Sequence, residues 1–134
     1  MIVVDTNVLA YLYLPTEFTE HAEALLQHDP GWVAPLLWRS EFRNLLAGYL
    51  RRGTMSFQVV CDMQAAAEDL LEGQEFESDS NEVLALVRDS HCSAYDCEFV
   101  ALARRLEVPL VTMDAKVLKD FPDQTVQLTS LQPR

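Results

Sequence analysis

Four acidic residues, Asp5, Glu41, Asp96 and Asp114, stand where a carboxylate does more than keep a surface soluble. Asp5 closes the β-branched run Ile2, Val3, Val4, and Asp114 follows the apolar run Leu110, Val111, Thr112, Met113. Such runs read as buried parallel strands, and open parallel sheets bind ligands beyond the carboxyl ends of their strands. Taken singly, either aspartate could simply cap the helix after it, since Asp is among the best N-cap residues. Glu41 lies three residues after Trp38 and four before Leu45, on the helix face that also carries Phe42, Leu46 and Tyr49. A carboxylate on a core-facing stripe needs compensation, because an unpaired buried charge is expensive. That compensation is either a cation shared with other acids or an arginine such as Arg39 or Arg104. Asp96 shares its face with Phe99, Val100 and Ala103, and also completes the capping-box pattern Ser93-x-x-Asp96.

Gathered carboxylates repel one another unless a hard divalent ion with oxygen ligands sits among them, which points to magnesium or manganese. Such an ion lowers the pKa of bound water and neutralises charge on a phosphate, so the chemistry suggested is phosphodiester hydrolysis. The sequence offers no glycine-rich phosphate cradle, no histidine pair at zinc-ligand spacing and no nucleophilic serine motif. His21, His28 and His91 are scattered and read as surface or capping residues. Tyr11, Tyr13, Trp32 and Trp38 read as core or subunit contacts rather than base-stacking platforms.

Short apolar strands alternating with helices must hold these acids in place. The pattern predicts a strand at residues 2–4 with a helix directly after it, then a second helix opened by Pro15 and Thr16, with Thr16 as N-cap. Further strands are expected at 32–34, 74–77, 110–113 and 125–128, and helices over 36–52, 56–71, 79–89, 93–106 and from Asp114 to about Phe121. The fold class is α/β, with a short, mainly parallel central sheet flanked by helices. A chain of 134 residues that is 49% hydrophobic suits one domain over residues 1–134.

No run approaches the length of about 20 apolar residues that a membrane span needs, and the first residues lack a basic leader, so no membrane association is expected. Cys61, Cys92 and Cys97 fit neither a disulfide scaffold nor a zinc site and read as reduced cytoplasmic thiols. The formal net charge of −11 opposes indiscriminate binding to phosphate backbones. Arginines nonetheless cluster locally at 39 and 43, 51 and 52, and 104 and 105.

Four segments together resemble the PIN-domain family, in particular the VapC-type toxins of toxin–antitoxin pairs. They are VVDTNVLAYL from Val3, EFRNLL from Glu41, YDCEFVALA from Tyr95 and LVTMDAKVL from Leu110, in the family's order and each carrying its acid. The resemblance implies a PIN-like α/β/α sandwich in which Asp5, Glu41, Asp96 and Asp114 form an acidic quartet holding metal, with Asn7 and Thr112 orienting ligands or water. It implies metal-dependent endoribonuclease cleavage of RNA, a homodimer, and a cognate antitoxin protein that covers the site. Arg39, Arg43 and Lys116 are the expected phosphate contacts.

The competing class is a catalytically silent PIN-like module that acts through RNA or protein contact, against which the intact quartet speaks. Receiver domains need an acidic pair after the first strand, and dehalogenase-like phosphatases need Asp-x-Asp there. This chain has Asp5, Thr6 and Asn7.

Overall fold

Ile2, Val3 and Val4 have almost no solvent exposure because their strand lies at the centre of the sheet, where both faces are covered. The computed structural model describes residues 1–131. Its strands are β1 (Ile2–Val4), β2 (Trp32–Pro35), β3 (Glu75–Phe76), β4 (Leu110–Thr112) and β5 (Thr125–Gln127), and its helices are α1 (Thr6–Ala10), α2 (Thr19–His28), α3 (Leu37–Arg51), α4 (Phe57–Leu70), α5 (Ser80–Arg88), α6 (Ala94–Leu106) and α7 (Ala115–Asp120). The strands run in the order β3-β2-β1-β4-β5, and every pairing is parallel. The expectation of a mainly parallel sheet is met, with no antiparallel edge among the described strands.

The register of β1 and β4 matters most for function. Val4 pairs with Val111, and the amide of Asp5 donates to the carbonyl of Val111. The two strands therefore end side by side, and the residues that follow them emerge at the same sheet edge. Trp32, Trp38 and Phe42 are the largest fully buried side chains of the core cluster. The long helices follow their sequence signals. Ser56 caps α4 through the amide of Val59, Asp79 caps α5 through Glu82, and Ser93 caps α6 through Asp96. Gly53, at φ +73, turns the chain between α3 and α4, completing the expected hairpin.

The second helix departs from expectation. It begins at Thr19 rather than beside Thr16. The hydroxyl of Thr16 accepts from the amide of Phe18, and the amide of Thr16 donates to the hydroxyl of Thr19. These local bonds hold residues 16–19 in a turn instead of a first helical turn. Among the described residues no helix is long and apolar enough to cross a membrane.

Candidate active site

Asp5 follows β1 in extended conformation at the head of α1, yet its side chain caps nothing there. One carboxylate oxygen, Oδ2, instead accepts the hydroxyl of Thr112 at 2.7 Å. Thr112 is the last residue of β4 and is fully buried. Its oxygen also accepts the backbone amide of Asp114 at 3.0 Å, so its own hydrogen is left to point at Asp5. Asp114 does cap the next helix: its Oδ1 takes the amides of Lys116 and Val117 at 2.9 and 3.4 Å, and Oδ2 makes no hydrogen bond among the described residues. Capping by one oxygen and an unbonded second oxygen thus coexist in one side chain among the described residues.

Glu41 reaches the same edge from α3. The structure gives it neither of the arginines that the sequence offered. Arg39 is held by Glu75 through Nε and Nη2, at 2.6 and 2.7 Å, and by Glu68 through Nη1 at 2.8 Å, while Arg104 turns to Gln124 and the face of Phe121. The partner is Thr6, whose hydroxyl donates to Glu41 Oε1 at 2.8 Å. Thr6 is only 4% exposed and lies in the first turn of α1, next to Asp5. The sequence did not flag it. The only available signal was its place in the Asp5-Thr6-Asn7 segment, facing inward while Asn7 is exposed.

Asp96 sits in the first turn of α6, where only half of the expected capping box forms: its amide donates to Ser93, and its carboxylate makes no hydrogen bond among the described residues. Glu98, two residues on, is a further acid that the sequence reading passed over. Its Oε1 takes the hydroxyl of Ser78, and its charge is felt at Glu41.

Electrostatics ties these groups together. Burial pushes the Asp5 carboxyl above its usual range; the Thr112 hydroxyl and the Thr6 amide oppose this, and the charges of Asp96 and Asp114 add to it. Glu41 is raised likewise, first by burial and then by Asp5, Asp96 and Glu98, against the pull of its bond from Thr6. No lysine, arginine or histidine among the described residues forms a salt bridge with Asp5, Glu41, Asp96 or Asp114. The donor set is all oxygen, anionic and short of positive charge, which fits a hard divalent cation. Among the described residues, no three His, Cys, Asp or Glu side chains already converge to hold an ion directly.

The remaining sequence candidates divide. Asn7 is exposed at the start of α1, and Lys116 is exposed at the start of α7 beside Asp114. Arg43 is exposed on α3, with Nε on the carbonyl of Arg39. Each of the three nitrogens of the Arg39 guanidinium donates to a carboxylate, which neutralises its charge locally. Together with Trp38, whose indole nitrogen also donates to Glu75 at 2.7 Å, it fastens α3 to β3 and α4.

The family model described as PIN domain matches residues 2–123. Ribonuclease VapC3 of Pyrobaculum aerophilum is 27% identical over 124 residues, an alignment covering 90% of this chain and 95% of that protein. The crystal structure of FitAcB from Neisseria gonorrhoeae superposes with a TM-score of 0.78 at 16% identity, covering 98% of this chain and 100% of that one. A toxin–antitoxin complex from Klebsiella pneumoniae gives a TM-score of 0.68 at 16% identity over 96% of this chain and 98% of that one. At these identities the solved structures speak for the fold, which is the PIN-like arrangement expected from the sequence. With the family model spanning nearly all of the described residues, this chain belongs to the PIN domain family.

Proposed function

We propose that the chain is a metal-dependent endoribonuclease and the toxin of a toxin–antitoxin pair, acting in the cytoplasm. One observation carries the reading: near the edge where β1 and β4 end, the charges of Asp96 and Asp114 act on Asp5 and those of Asp5 and Asp96 act on Glu41, and no described cation forms a salt bridge with any of the four. The relative named as a ribonuclease and the toxin–antitoxin title among the structural neighbours point the same way.

In this reading Asp5, Asp96 and Asp114 hold magnesium or manganese, with Glu41 completing the set. Magnesium keeps several waters and commonly takes only one or two carboxylates with substrate phosphate, which suits acids that do not yet converge. The ion supplies charge neutralisation at the scissile phosphate and makes water more acidic. The protein's own part is orientation. Thr112 holds Asp5 by Oδ2, Thr6 holds Glu41 by Oε1, and the α7 amides hold Asp114 by Oδ1, so each carboxylate keeps one oxygen for the ligand. Asn7 and Lys116 stand at the rim to contact water and phosphate.

An antitoxin and a second copy of the chain are the proposed protein partners. Exposed Leu36, Leu84 and Tyr95 line one groove with Phe76 and Glu98 beside the acidic edge, an apolar surface that supports a covered face.

The deciding experiment is cleavage of a panel of transfer and messenger RNAs with manganese, with chelator, and by Asp96→Asn purified identically. Metal-dependent cleavage that disappears in the variant supports the proposal. Cleavage that survives in Asp96→Asn, or none by a metal-loaded wild type, replaces it with the silent binding module.

A further inference from the structure

A chain of net charge −11 that binds RNA needs a place where the backbone is not repelled, and the charge is distributed so as to leave one. From Phe42 to Cys61 there is no Asp or Glu, and the only charged residues are Arg43, Arg51 and Arg52. All three are exposed, and none forms a salt bridge among the described residues. Arg39 and Arg88, by contrast, are bonded to carboxylates.

Arg52 is also held in a defined position. Glu41, Leu45, Gly48 and Arg52 follow one another at spacings of four, three and four along α3 and its C-cap, so they share one face of the helix. The Arg52 side chain folds back along this stripe toward Glu41. Its guanidinium lies 4.7 Å from the Tyr49 ring centroid, and a methyl group at Gly48 would meet its Nη1 at 3.2 Å. Gly48 is therefore the seat of the guanidinium. At about 1.5 Å of rise per residue, Gly48 lies about 10 Å along the axis from Glu41, a span of a few nucleotides.

We infer that the C-terminal half of α3 is the strip on which the phosphate backbone of single-stranded RNA docks, with Arg52 seated over Gly48 and Tyr49 as its fixed contact and Arg51 next to it. Arginine's planar fork matches a phosphate, and stacking on Tyr49 reduces the freedom lost on binding. The strip shares a helix face with Glu41, so a strand lying along it runs into the acidic edge. The proposal rests on the ribonuclease reading and adds where the substrate is gripped.

The test is fluorescence anisotropy of a labelled single-stranded RNA of mixed sequence, with chelator to stop cleavage, across a series of salt concentrations. Arg52→Gln weakens binding severalfold and flattens the slope of log affinity against log salt by about 0.7, the value for one phosphate contact on a single strand. Replacing Arg51 and Arg52 together by Gln removes most of the affinity, whereas Arg88→Gln, at a residue already paired with Asp89, leaves it unchanged. Gly48→Ala displaces the guanidinium and weakens binding as Arg52→Gln does, at unchanged or raised melting temperature, because alanine favours the helix. If the double variant binds RNA as wild type does, the strip is overturned and the ribonuclease reading stands. If it keeps RNA but no longer holds an acidic partner protein, the strip is a protein contact and the inference fails. If the wild type binds no RNA at any salt, both readings fall together.

Discussion

Thr112 donates its hydroxyl to Asp5 at 2.7 Å although 107 positions separate the two in sequence, and the amide of Asp114 fixes the direction of that donation. The hydroxyl therefore links two of the four acids through one atom. Thr112→Val keeps the volume of a fully buried side chain but removes the link. Manganese affinity and cleavage rate are expected to fall about 10- to 100-fold, as for other ligand-supporting residues. Denaturant unfolding should show a loss of about 1–3 kcal/mol, because the Asp114 amide and the Asp5 carboxylate each lose a partner.

Asp114 combines a cap with a charge, and two substitutions separate them. Asn is as good an N-cap, so Asp114→Asn should change stability by less than about 0.5 kcal/mol while abolishing metal-dependent cleavage. Asp114→Ala should lose the same activity and about 1 kcal/mol besides. Thermal unfolding of both variants alongside wild type provides the check. Equal stability for the two would mean that the bonds to Lys116 and Val117 contribute nothing.

The pH dependence follows from carboxyls shifted in opposite directions. Asp5 and Glu41 are raised, chiefly by burial, so their contribution favours the folded state below their unfolded pKa and is lost as pH rises through the folded values. Glu75 is lowered, first by its hydrogen bond from Arg39, so its contribution is present above its unfolded pKa and is lost as pH falls through the folded value. Metal-free protein should therefore be most stable at weakly acidic pH, between the ordinary carboxylate range and the raised values. Manganese should raise the melting temperature near neutrality, and that increment should shrink on acidification, because protons and metal compete for Asp5 and Glu41. A scanning-calorimetry series with and without manganese tests this, and an increment that grows on acidification would contradict the assignment.

Glu75 is the hub of a structural knot, accepting from Trp38 and twice from Arg39, with its side chain only 12% exposed. Glu75→Ala leaves the fully buried indole nitrogen and the guanidinium without this partner. A cost of about 2 kcal/mol is expected from the lost bonds to a charged acceptor. Metal binding should be little changed, since the knot fastens β3 and α4 rather than the acidic edge. Parallel denaturant and manganese titrations read the two effects separately.

Glu107 ends α6 in the left-handed region, at φ 56, and is exposed. A glycine in that place avoids the clash of Cβ with the backbone, so Glu107→Gly should stabilise the protein by about 1 kcal/mol despite glycine's greater freedom when unfolded. Urea unfolding measures this, and a destabilised variant would show that the Glu107 side chain contributes more than its backbone costs.

The sequence by itself determined the α/β alternation and most element positions, because apolar periodicity and caps such as Ser56, Asp79 and Ser93 are local signals. It also determined that Asp5, Glu41, Asp96 and Asp114 are anomalous, since a carboxylate at a strand end or on a core-facing stripe is visible one residue at a time. Only the tertiary structure decided what resolves each anomaly. That Glu41 is bonded by Thr6 rather than by Arg39 depends on how α1 packs against α3, and that Thr112 supports Asp5 depends on β1 and β4 being neighbours in register. Arg39, offered by the sequence as a phosphate contact, is bonded to Glu68 and Glu75, which lie 29 and 36 residues away, beyond any periodicity. Spacing along the chain records which face a side chain takes, whereas the partner on that face is fixed by sheet order and helix packing.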